Sequence, residues 1–260
     1  MAFVNYATKN LAIKIVYYGP GLSGKTTNLR FIYFKLDASY RGDFICLETD
    51  TERTFFFDLL PIKAGLIGEF KVHFQLMTVP GQAFYEASRK SVLKGADGIV
   101  FVADSQIPLL DANLENFDGL RRNCLEHNID LNQIPLVFQY NKRDLNYLIP
   151  VETFNNLLNP RRLPFVEAAA INGVGVFESL REISKLTVPV VREKVFGEKR
   201  KEIRKAEFPE EHPERPKEDV EFITPSQASP FEVTKIKMKS QKEIEQELDK
   251  ISKEFGTKAK

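Results

Sequence analysis

The octet Gly19-Pro20-Gly21-Leu22-Ser23-Gly24-Lys25-Thr26 constrains this chain more than any other segment. It has the spacing GxxxxGK[ST], it follows the apolar run Leu11–Tyr18, and it precedes a helical pattern over residues 27–34. That context gives the motif a mechanism. Glycines let successive backbone N–H groups turn inward around an anion, and the following helix aims its positive end at the same point. The Lys25 ammonium then reaches outer phosphate oxygens, and the Thr26 hydroxyl is placed to bind Mg²⁺. Gly19, Gly21, Leu22, Ser23, Gly24, Lys25, Thr26 and Thr27 are accordingly the expected phosphate-binding residues. A loop of this kind needs a strand that ends where a helix begins, the geometry of an α/β sheet.

The rest of the first 196 residues supplies such a sheet. Leu11–Tyr18, Val72–Val79, Gly98–Asp104 and Leu136–Asn141 are nearly unbroken apolar runs, which predicts strands buried on both faces. Phe84–Leu93, Asn113–Glu126, Val151–Leu158 and Val176–Glu193 carry apolar residues at spacings of three and four, the helical period. Alternation of the two predicts a mostly parallel central sheet with helices on both faces.

The fourth of those strands ends in Asn141-Lys142-Arg143-Asp144. Asn and Asp after a strand are common turn residues, but the carboxyl end of a parallel strand is also where α/β proteins bind ligands. A carboxylate at Asp144 can accept both N–H groups on the Watson–Crick edge of guanine. Adenine would set a lone pair against it, the mismatch that gives buried polar groups their discrimination. Asn141, Lys142 and Asp144 are therefore expected to read the base, with Ala169 and Ala170 of Glu167-Ala168-Ala169-Ala170 closing over it. These residues oppose an ATPase built on the same loop.

The motifs in this order resemble the Ras-like small GTPases. Tyr17-Tyr18-Gly19-Pro20-Gly21, Glu52-Arg53-Thr54-Phe55-Phe56-Phe57-Asp58, Thr78-Val79-Pro80-Gly81-Gln82 and Ala103-Asp104-Ser105-Gln106 look more specifically like the bacterial MglA-like gliding-motility GTPases, over about residues 1–195. The resemblance implies a Ras-like P-loop GTPase fold, GTP/GDP and Mg²⁺ as ligands, and GTP hydrolysis that is slow without an activating partner. It implies Gln82 as the residue that orients water and Arg53 as an arginine finger in cis. Thr54 is implied to touch Mg²⁺ with Thr26, and Gly81 to meet the γ-phosphate. It further implies a Roadblock-fold homodimer, MglB-like, as activating partner at the switch region. Phe55, Phe56, Phe57, Phe84 and Tyr85 are candidates for that surface, although a run such as Phe55–Leu60 equally suits a buried strand. Motility or polarity effectors are the other implied partners. A nucleotide-gated scaffold with negligible turnover is the alternative function. One departure from the general Ras pattern stands out: the Asp that opens the DxxGQ motif is Thr78 here. Its hydroxyl could hold a metal-bound water but brings no negative charge.

Composition divides the chain rather than classifying it. Of 37 Lys+Arg and 36 Asp+Glu, 15 of each fall in residues 197–260, together with five prolines. So charged a stretch cannot repay its ordering entropy alone. Residues 1–196 are thus expected to form the GTPase domain. Residues 197–260 form a mostly extended extension, with a linker over 197–240. Ile244, Leu248, Ile251 and Phe255 mark a short amphipathic helix over 241–255. A formal charge of +1 gives no basic excess for nucleic acid. No apolar run approaches the ~18 residues of a membrane span, no signal peptide opens the chain, and Cys46 and Cys124 form no metal or disulfide pattern. The expected location is the cytoplasm, polar by way of partners.

Overall fold

The computed structural model describes residues 2–47, 57–79 and 86–197. The strands are β1 (Phe3–Asn5), β2 (Asn10–Tyr18), β3 (Ile45–Leu47), β4 (Phe57–Ile67), β5 (Phe70–Thr78), β6 (Gly98–Asp104), β7 (Leu136–Asn141) and β8 (Phe165–Glu167). The helices are α1 (Lys25–Lys35), α2 (Glu86–Leu93), α3 (Leu110–Glu126), α4 (Val151–Leu157) and α5 (Val176–Phe196).

The sheet runs in the order β3-β4-β5-β2-β6-β7-β8, with β1 paired to β2. β5, β2, β6, β7 and β8 are parallel neighbours, whereas β1, β3 and β4 pair antiparallel. Long apolar runs form the centre because both faces are covered. Alternate residues of each central strand enter two separate cores. Ile13, Ile15, Tyr17, Val100 and Val102 pack with Leu29 and Ile32 of α1 and Leu180 and Ile183 of α5. Val16, Tyr18, Ile99, Phe101 and Phe138 pack with Leu93, Phe117, Leu120 and Phe154 of the other three helices and Leu158. At about 1.5–3 kcal/mol per fully buried large apolar side chain, these two layers dominate the favourable side of folding.

Two details position the site. Asn28 on α1 and Gln139 on β7 exchange amide hydrogen bonds of 2.8 and 2.9 Å, both fully buried. Gln139 Nε2 also donates to Ser179 Oγ on α5 at 2.9 Å, so one amide ties three elements together. At the far end of α5, Phe196 packs on Phe70, the first residue of β5, with ring centroids 5.0 Å apart. No described helix is long and apolar enough to cross a membrane.

Candidate functional site

The Gly19–Thr26 loop joins the carboxyl end of β2 to the first residue of α1. Two of its glycines are obligatory. Gly19 has φ +144°, and a Cβ there would lie 2.2 Å from the carbonyl oxygen of Val102. Gly24, at φ +97°, caps α1, and its Cβ would lie 2.2 Å from Asn141 Nδ2. Leu22 stands out at the loop tip, 90% exposed, while Ser23 is buried and Gly21, Thr26 and Thr27 are half-buried. The buried Lys25 ammonium folds back over the loop and donates to the carbonyls of Gly19 at 2.9 Å and Pro20 at 2.6 Å. Burial lowers its pKa to about 7. The nearby Arg89 pushes it the same way, and Asp58 opposes them.

Asp58 is the residue that sequence reasoning left without a role. On β4 it is 5% exposed. Its Oδ2 accepts from Thr26 Oγ1 at 2.6 Å and from Thr78 Oγ1 at 2.9 Å, and its backbone N–H donates to Thr78 Oγ1 at 2.9 Å. The Thr78 proton therefore goes to Asp58. Hydroxyl and carboxylate oxygens are the donors a hard divalent cation takes, so Thr26 and its surroundings fit Mg²⁺. The available sequence signal was the acid missing at position 78 together with an acid at the start of the next antiparallel strand.

The loop after β7 is built around Asn141. Its Nδ2 donates to the carbonyl of Ser23 in the phosphate loop at 2.7 Å, and its Oδ1 accepts from the backbone N–H of Ala170 at 2.9 Å. One side chain thus joins the two loops that the sequence separates by more than a hundred residues. Lys142, at φ +67°, pairs with Asp104 Oδ2 at 2.6 Å. The Asp104 carboxylate is almost wholly buried and fixes where that long side chain runs. Arg143 is anchored by Glu167 at 2.9 Å and by the carbonyl of Ile149 at 2.8 Å. Next to it, Asp144 is exposed. Ala169 and Ala170 are buried, and their backbone N–H groups bond to Val174 O and Asn141 Oδ1.

Arg53, Thr54, Phe55, Phe56, Gly81, Gln82, Phe84 and Tyr85 lie outside the described residues, as do residues 198–260. Phe57 is described. It is half-buried and packs against the core shared with α2, α3 and α4.

The chain is 54% identical to the mutual gliding-motility protein MglA of Myxococcus xanthus (strain DK1622) over 188 residues. The match covers 72% of this chain and 96% of that protein. No protein-family model matches the chain. With the sheet order, the phosphate loop after β2 and identity at this level, the chain belongs to the MglA family of Ras-like small GTPases.

Proposed function

We propose that this protein is a guanine-nucleotide switch that binds GTP and GDP with Mg²⁺ and hydrolyses GTP to GDP and phosphate. Turnover is slow without an activating partner. Through partners that bind one nucleotide state, the protein controls cell polarity and gliding or twitching motility. The observation that best supports this reading is the Asn141 bridge, which ties the loop after β7 to Ser23 of the Gly19–Thr26 loop and to Ala170.

Each residue then has a task. Backbone N–H groups from Gly19 to Thr26 and the Lys25 ammonium hold the phosphates, with Thr27 and Gly81 beside them. Asp144 selects guanine, Lys142 lies along the nucleoside, and Asn141, Ala169 and Ala170 shape the base pocket. Thr26 and Thr54 hold Mg²⁺, which when bound offsets charge on the phosphate oxygens. Gln82 orients the attacking water, and Arg53 places positive charge on the phosphoryl group in the transition state. The partner is an MglB-like Roadblock-fold homodimer that reads the switch region, with Phe55, Phe56, Phe84, Tyr85 and the exposed part of Phe57 as its contacts. Residues 1–196 carry these functions and 197–260 form the extension. The location is cytoplasmic, polar where partners are polar. The family relationship and the gliding motility in the relative's name support the cellular part of this reading.

Competition against a fluorescent GDP analogue tests the ligand: GTP and GDP are expected to displace it, and ATP to fail at the same concentration. Displacement by ATP as strong as by GTP would remove the guanine assignment. Turnover of GTP with and without a Roadblock-fold partner then tests the switch.

Lys25 adds a pH prediction. With its pKa near 7 in the free protein, this amine is mostly neutral at pH 8, and a bound phosphate raises the pKa again. Nucleotide binding at pH 8, where the terminal phosphate is itself ionised, is therefore expected to take up about one proton. Affinity falls as pH rises through this range, because the proton must be supplied. Calorimetric titration in two buffers of different ionisation enthalpy reads the uptake. Equal heats in both buffers would contradict it.

A further inference from the structure

We infer that Asp58 supplies the negative charge of the Mg²⁺ site in this chain, with Thr78 as its holder. The inference rests on the reading of the Gly19–Thr26 loop as a site for a Mg²⁺-nucleotide.

A cation held at the Thr26 hydroxyl needs that oxygen's lone pairs, so the proton must point elsewhere. It points to Asp58 Oδ2, at 2.6 Å. The arrangement is that of a ligand oriented by a carboxylate one step further from the metal, which fixes the ligand and raises its basicity. Mg²⁺ also keeps several of its waters, and those waters donate hydrogen bonds outward. Among the described residues nothing donates to Asp58 Oδ1, so this oxygen is available to accept from them. Thr78 brings no charge. Its hydroxyl accepts from the Asp58 N–H and gives its proton to the Asp58 carboxylate. Both bonds keep the carboxylate in place.

The sheet explains how the substitution works. β4 pairs antiparallel with β5, with Leu59 opposite Met77, so Asp58 sits across from Thr78 at the same level of the ladder. Moving the acid from the end of β5 to the facing position on β4 keeps the charge beside Thr26. A carboxylate that is 5% exposed and bonded to neutral hydroxyls carries a large desolvation cost. A cation at Thr26 and the ammonium of Lys25 offset that cost.

The test is release of a fluorescent GDP analogue from full-length protein across a range of free Mg²⁺ set with EDTA. Wild type is expected to retain nucleotide at high Mg²⁺ and release it as Mg²⁺ is withdrawn. Asp58→Asn keeps the shape and an acceptor oxygen but removes the charge. Its half-point is expected to move to about 10–100-fold higher free Mg²⁺, the usual cost of losing an outer-shell partner. Adding Thr78→Asp to that variant returns a carboxylate to the same place and is expected to bring the half-point back toward wild type. Loss of packing alone would not be rescued in this way. If Asp58→Asn fails to fold in a thermal melt, Thr78→Val carries the test, because it removes the holder and leaves the charge. A shift to higher Mg²⁺ supports the inference. Curves superimposable on wild type in the folded variant overturn it and leave the switch reading standing. A wild-type protein that retains no nucleotide at any Mg²⁺ concentration overturns both.

Discussion

Asp144→Asn is expected to exchange guanine for xanthine as the preferred base, with affinity for GDP falling by about 10³- to 10⁵-fold. The carboxylate offers two acceptors to the two N–H groups on the guanine edge. A carboxamide offers one acceptor and one donor, so its N–H meets the exocyclic amine of guanine head-on. Xanthine carries a carbonyl at that place and accepts the new donor. The fold should survive, because Asp144 is exposed and makes no hydrogen bond to another described residue. Asn141, Lys142 and Arg143 each keep the partners that set the loop. Titration of fluorescent GDP and XDP reads the exchange, and an unchanged GDP affinity would place the base somewhere other than beside this loop.

Arg53→Ala is expected to slow single-turnover hydrolysis by about 10³- to 10⁵-fold, the range an arginine finger contributes. GTP affinity should hardly change. The separation follows from the chemistry. In the proposed mechanism ground-state phosphate charge is met by the loop N–H groups and Lys25, whereas charge that develops between the leaving and attacking oxygens needs a cation placed there. Comparable turnover in wild type and variant would make Arg53 a solvated loop residue. Turnover absent from both, with partner binding still dependent on GTP, would favour the scaffold function instead.

The central strands were legible because their chemistry is local. Leu11–Tyr18, Gly98–Asp104 and Leu136–Asn141 are continuous apolar runs, and the structure places strands there within one residue. The helices obey the same rule, with α3 beginning three residues earlier than its apolar spacing suggests. β4 was harder to read. Its inner half is apolar, but Pro61, Lys63 and Gly65 interrupt it, and its register shifts between Lys63 and Leu66. β1 and β8 span three residues each, too few to show a period. At the site, the phosphate-loop and Asn141-Asp144 motifs were visible because spacing within a single loop defines them. Asp58 was not, because its meeting with Thr26 and Thr78 spans 32 and 20 positions and exists only once β4 and β5 are in register. The same holds for Asn28, Gln139 and Ser179, three ordinary polar residues that become a buried network only when α1, β7 and α5 converge.

The Phe196–Phe70 contact ties the end of α5 to the start of β5. α5 starts beside the Asn141 loop and, at about 1.5 Å per residue, carries the chain some ~30 Å to the amino-terminal edge of the strands. Residue 197 therefore lies at the pole opposite the Gly19–Thr26 loop. A probe attached at Gly197 therefore begins on the far side of the molecule from the Gly19–Thr26 loop and the Asn141 loop, where it does not crowd partners approaching either.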